Sequence, residues 1–189
     1  MPGNIEVKAK IHNLNQLSNK GQQISEERFV LEQCDTFFNA PTGCRLKLRS
    51  ETHIVTGKTT ACLVAYERPD VTGPKFSNYV LTPVPDPVTM EKALTMSNGS
   101  IGQVKKLREV HIVKRNGLTA RVHFDNVADL GDFLEFEVIV EHDCELAEAN
   151  SMAEYLSNFF GISEEDRIPG AYWDLLQAKA KLERQLFDV

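Results

Sequence analysis

The chain has 189 residues, 42% of them hydrophobic and 25% charged, with a formal net charge of −6. That length suits one domain with a sizeable core, spanning 1–189, and the balance is ordinary for a soluble globular protein. The acidic total speaks against non-specific nucleic-acid binding, and no apolar run is long enough to span a bilayer. Cys34, Cys44, Cys62 and Cys144 show no CxxC spacing and follow no signal peptide, so a cytosolic protein with free thiols is expected.

Residues 5–11 alternate apolar or small side chains with charged ones at a period of two, the pattern of a strand with two unlike faces. A polar stretch at 13–23, with Leu14, Leu17 and Ile24 as its apolar stripe, reads as a connecting helix. A strand at 28–38 and a Pro-then-Gly turn at 39–43 lead into Arg45-Leu46-Lys47-Leu48-Arg49, with three cations on one face and two leucines on the other. Strands follow at 60–66 and 77–82, the second ending at Pro83, which cannot donate to a ladder. A helix at 88–97 stops at Asn98-Gly99. Strands at 104–113 and 118–126 flank Asn116-Gly117, a strong hairpin signal. In the next strand, 133–140, Glu135 and Glu137 share one face while Leu134, Phe136 and Val138 share the other. An amphipathic helix is expected at 144–160, and a last helix carrying Tyr172, Leu175, Leu176, Leu182 and Leu186 follows the Pro169-Gly170 break.

About eight strands in meander order, with few helices, point to a mainly β (α+β) fold: an eight-stranded antiparallel closed barrel, since closure removes exposed edges. With charged faces inward, the barrel is a polar tunnel whose apolar outer surface is covered by peripheral helices. The inward cations are then Lys8, Lys10, Arg45 and Lys47, with Arg49, Arg68, Lys106 and Arg108. The inward acids are Glu6, Asp125, Glu135 and Glu137. Enclosed charge has to be paired, and a phosphate chain is the natural partner for this excess of cations. Two carboxylates two residues apart, with a third from another strand, suit a hard divalent cation such as Mg2+ or Mn2+. Taken alone, Glu135 and Glu137 read as a solvated strand face, and Arg45 to Arg49 as a basic edge; the ensemble favours the site. His111 and His123 read as packing or hydrogen-bonding residues, because no His/Cys spacing supports zinc.

These residues resemble the CYTH superfamily, the triphosphate tunnel metalloenzymes. Glu6-x-Lys8-x-Lys10 is similar to the ExExK signature, and the likeness continues through Asp35-Thr36-Phe37-Phe38, the Arg45 to Arg49 run, Tyr66-Glu67-Arg68-Pro69, Lys106-x-Arg108, the Leu130 to Glu137 segment and Ala171 to Leu176. The resemblance implies an eight-stranded tunnel holding a triphosphate on basic side chains. Glu6, Glu135 and Glu137 then correspond to metal ligands, and Asp125 to a further inward acid. Lys10, Lys47, Arg49, Arg68, Lys106 and Arg108 correspond to the phosphate grip. Lys8 stands where that alignment has the second glutamate, and the strand at 77–82 lacks the acidic pair many members carry.

Three activities are compatible with this pattern. The first is metal-dependent hydrolysis of a small-molecule triphosphate, with Glu6, Lys8 and Glu137 as candidate catalytic residues. The second is an adenylyl cyclase of the class IV type, and the third a binding module that holds polyphosphate or a nucleotide without turnover. A monomer or homodimer acting on a small molecule, without nucleic acid or membrane, is the expected setting.

Overall fold

Strand β1 (Gly3–Lys10) closes the molecule, pairing with β5 (Lys75–Pro83) on one side and β8 (Gly131–Val140) on the other. The other strands are β2 (Glu27–Phe38), β3 (Cys44–His53), β4 (Thr59–Glu67), β6 (Ser100–Arg115) and β7 (Leu118–Val127). They form one closed antiparallel barrel in the order β1-β5-β4-β3-β2-β6-β7-β8. The computed structural model describes residues 3–142 and 146–187. Cys144, and with it the expected start of the 144–160 helix, lies outside that range. Cys34, Cys44 and Cys62 are free thiols. Among the described residues no helix is long and apolar enough to cross a membrane.

The strict alternation of β1 decides which way it faces. Ile5, Val7 and Ala9 point out of the barrel and are buried there with Phe124, Leu134, Phe136 and Val138 beneath α3 (Leu146–Phe160). Helix α3 answers with Ala149, Met152, Ala153, Leu156 and Phe160, and α1 (Leu14–Gly21) adds Leu14 and Leu17. Each fully buried side chain of this kind contributes about 1.5–3 kcal/mol, so the main core lies outside the barrel wall. A second outer core joins Phe38, Leu48 and Val84 to Met90 and Leu94 of α2 (Pro87–Asn98). That helix begins at Asp86, whose carboxylate accepts from the Thr89 amide.

The β6–β7 turn is the expected hairpin: Asn116 and Gly117 both have positive φ, at 51° and 81°, as a tight two-residue turn requires. Beyond Glu6, β1 outruns β5. Its edge is then satisfied by the 163–170 segment, where Ile168 N donates to Lys8 O and Lys10 N donates to Asp166 O.

That segment delivers α4 (Tyr172–Phe187) to one end of the barrel. Tyr172 and Trp173 enter an apolar layer with Phe37, Val104, Val127 and Phe133, all from inward positions. Trp173 lies so close over Gly102 that a β-carbon there would sit about 2.0 Å from its ring. Above this layer the interior is charged.

Candidate functional site

The inward positions of all eight strands line one cavity, in which seven cationic side chains face four carboxylates. Asp35 on β2 organises the cationic wall. Arg49 forks onto it with bonds of 2.7 and 2.8 Å, Lys47 donates at 2.9 Å, and Lys106 stands 3.6 Å away. The ladder dictates this cluster, since Asp35 is directly opposite Arg49 on β3 and next to the Lys106 row on β6. Burial alone would raise the Asp35 carboxyl, but Arg49, Lys47 and Lys106 carry it well below the usual carboxylate range. Burial drives the Lys106 ammonium down to about 7, with Arg108 adding to the shift, and it lowers Lys47 too. One carboxylate thus holds three cations in place, leaving the wall short of negative charge.

Next to Lys106 along β6, Arg108 grips Asp125 with two bonds and Glu135 with a third of 2.7 Å. Asp125 is fully buried and also accepts from the Tyr172 hydroxyl at 2.8 Å. Lys8 stands 3.2 Å from Glu135, 3.6 Å from Glu6 and 4.3 Å above the Tyr172 ring. Glu6 is bonded to Arg68, whose Nε and second terminal nitrogen are buried without hydrogen bonds, the latter 3.9 Å from Asp70. Those orphaned donors, on a cation that cannot be deprotonated, suit an anion.

The expected residues do not all meet there. Lys10, expected in the phosphate grip, is exposed at the end of β1 and reaches the Leu130 carbonyl instead. Arg45, expected inward, sits on the rim between Asp70 and Asp174, 2.8 Å from each. Asp125, expected as a metal ligand, has both oxygens committed to Arg108 and Tyr172. Glu6, also expected as a ligand, is taken by Arg68 and Lys8. Lys8, Lys47, Arg49, Arg68, Lys106 and Arg108 do converge on the cavity, as do Glu6, Glu135 and Glu137.

Three site residues were missed: Asp35, His123 and Arg121, a β7 cation that lines the cavity 3.6 Å from Glu137. Asp35 carried a signal, because aspartate inside a strand is uncommon and usually paired. His123 carried none at the level of spacing. Its Nδ1 lies 3.7 Å from Glu135 and 4.0 Å from Glu137, and ligand atoms of the three lie within 4.8 Å of one another. Burial, with Arg108 nearby, lowers the His123 imidazole from its ordinary value, which keeps it neutral. Burial would raise Glu135, but Lys8, His123 and Arg108 hold it well below the usual range. These three residues fit a divalent cation.

The CYTH domain family matches residues 3–172. The chain belongs to the CYTH family. Among solved structures it is similar to the PH1012 protein from Pyrococcus horikoshii OT3, at 26% identity and TM-score 0.72, covering 91% of this chain and 98% of that one. It is also similar to a candidate adenylate cyclase from Vibrio parahaemolyticus, at 22% identity and TM-score 0.72, covering 92% and 97%. HpAC1 from Hippeastrum shares the fold at 13% identity and TM-score 0.62, covering 95% and 96%. No curated protein matches the chain.

The CYTH signature can now be set against the pleat. The β1 residues that line the cavity are Asn4, Glu6 and Lys8. Read two residues earlier, ExExK becomes Asn4-x-Glu6-x-Lys8, which keeps the lysine and the second glutamate and exchanges only the first glutamate for an amide. That reading puts Lys8 in the place of the signature lysine, where the reading from Glu6 puts Lys10. A period of two makes both alignments look alike in sequence, and the exposure of Lys10 separates them.

Proposed function

We propose that this CYTH protein hydrolyses a phosphoanhydride bond of a small-molecule triphosphate with a divalent metal. The observation that carries the reading is one cavity that combines an excess of cations with the His123, Glu135 and Glu137 group. Lys47, Arg49 and Lys106 would grip the phosphate chain, and Arg68 and Arg108 would complete the grip; the shared chain, not the organic group, is what such a wall reads. Fixed cations also stabilise the charge that gathers on phosphoryl oxygens as the bond to the leaving group loosens. Glu135, Glu137 and His123 would hold the divalent cation, which would supply Lewis-acid polarisation when bound. Glu137 is the candidate to orient the attacking water, because its nearest cation, Arg121, stands 3.6 Å away whereas Glu6 is bonded tightly to Arg68. Lys8 acts as a positioning residue between Glu6 and Glu135. The triphosphatase activity described as dominant for HpAC1 supports the same direction.

The test is phosphate release from inorganic tripolyphosphate, thiamine triphosphate and ATP, with Mg2+ and with Mn2+, together with analysis of every nucleotide product. Orthophosphate that disappears in Glu135→Gln is expected. Cyclic AMP with pyrophosphate would move the assignment to a cyclase. Saturable triphosphate binding with no product under either metal would make the cavity a binding module.

A further inference from the structure

The donor set of the proposed metal position contains a nitrogen. We infer that His123 is itself a metal ligand, and that the position is built for a first-row transition-metal dication such as manganese(II) or zinc(II) in preference to magnesium. The inference rests on the metal-assisted reading above and adds to it the chemical class of the ion.

The geometry belongs to the barrel, not to a loop. His123 on β7 is the direct cross-strand partner of Glu135 on β8, and Glu137 is the next inward residue along. Such neighbours share one face of the sheet within side-chain reach. Metal–nitrogen and metal–oxygen bonds of about 2.0–2.2 Å set ligand atoms roughly 3–3.5 Å apart. The observed 3.7 and 4.0 Å separations therefore close on an ion with small side-chain rotations.

His123 Nδ1 is a second, independent pointer. The residue is 3% exposed, Nδ1 is buried, and it has no hydrogen-bond partner. A buried imidazole nitrogen without a hydrogen bond, turned toward two carboxylates, calls for a partner, and an ion shared with those carboxylates supplies one. Of the other acids, Asp125 has both oxygens on Arg108 and Tyr172, and Glu6 holds Arg68 and Lys8 through one oxygen. Asn4 lines the same cavity and offers a buried, unpartnered Oδ1, an uncharged oxygen donor. Lys8, Arg108 and Arg121 contact Glu135 and Glu137, but each ionised carboxylate has about four lone-pair sites and can serve a cation and an ion together. The groups whose ligand atoms converge are one imidazole and two carboxylates. Magnesium demands oxygen ligands and keeps its waters, whereas imidazole binds the later first-row ions with rising affinity.

The experiment is manganese(II) binding to the full chain without triphosphate, followed by electron paramagnetic resonance, with pulsed detection of nitrogen coupled to the bound ion. Expected are nitrogen coupling in the wild type and displacement by magnesium only at a more than about tenfold excess. In His123→Gln, expected are loss of the coupling, about tenfold weaker manganese binding and unchanged magnesium binding. Bound manganese without nitrogen coupling, equal affinity for magnesium, or no manganese binding would each overturn the inference. The wild-type measurements decide the matter even if the variant does not fold. Because no substrate is present, hydrolysis with an uncoupled ion would sink only this inference, and a nitrogen-coupled ion without hydrolysis only the triphosphatase reading.

Discussion

Arg108 and Asp125 face each other across the β6–β7 ladder, joined by two parallel hydrogen bonds of 2.7 and 2.6 Å. Neither is meaningfully exposed, and the same guanidinium continues to Glu135 while the same carboxylate continues to Tyr172. The pair therefore ties the floor of the cavity to α4.

Removing one partner leaves the other charged and buried. Asp125→Ala is expected to lower stability by about 3–5 kcal/mol. Tyr172→Phe, which removes only a bond to a charged acceptor, is expected to cost about 1.5–3 kcal/mol. Urea unfolding checks both. Equal losses in the two variants would show that the Arg108 pairing adds nothing beyond the hydroxyl contact.

The cationic wall makes a separate prediction. Lys47→Ala is expected to weaken metal-free triphosphate binding roughly tenfold to a hundredfold, the worth of about 1.5–3 kcal/mol for a charged hydrogen bond. Lys10→Ala is expected to leave it unchanged, because that amine sits outside the cavity. Titration calorimetry with tripolyphosphate separates the two, and a comparable loss in Lys10→Ala would contradict the placement of β1.

Lys106 sets a pH dependence. Its folded-state value of about 7 lies below the roughly 10.4 of a free lysine. Between those values the unfolded chain binds a proton that the folded chain has released. Stability from this residue therefore rises with pH across that window and is flat below it. A bound polyanion favours the protonated ammonium, so triphosphate affinity is expected to fall as pH rises above about 7, by up to about tenfold per unit. Lys106→Met should flatten the profile from pH 6 to 9; parallel profiles for variant and wild type would refute the assignment.

Gly102 is expected to be intolerant even of alanine. A β-carbon there meets the Trp173 ring, and its φ of 152° is itself unfavourable for other residues. Trp173 is the chain's single tryptophan, so its fluorescence reads the docking of α4 directly. A red-shifted emission in Gly102→Ala is the expected result, and an unchanged spectrum would show that α4 docks without that contact.

The barrel was legible because strand patterning is local. Ile5, Val7 and Ala9 against Glu6 and Lys8 announce two faces, and the same alternation in β3 and β8 leaves closure with charge inward as the economical arrangement. The Asn116-Gly117 turn and the amphipathic α3 were equally local. Residues 5–11, 45–49 and 133–140 by themselves determined a barrel with a cationic interior.

Which charges meet was not local. Asp35 reaches Lys106 across 71 positions of sequence, and His123 reaches Glu135 only through the β7–β8 register. The same alternation that marks a strand is blind to a shift of two residues, so Lys10 and Asn4 were equivalent until β5 ended and the 163–170 segment took its place beside β1. Asp125 shows the same limit: an inward acid reads as a ligand until the tertiary structure sets Arg108 and Tyr172 against both its oxygens. Periodicity determined which side chains face inward. Only the closed ladder and the docked α4 decided which of them are neutralised by one another and which remain for a ligand, because pairing depends on distances between strands that the chain order does not encode.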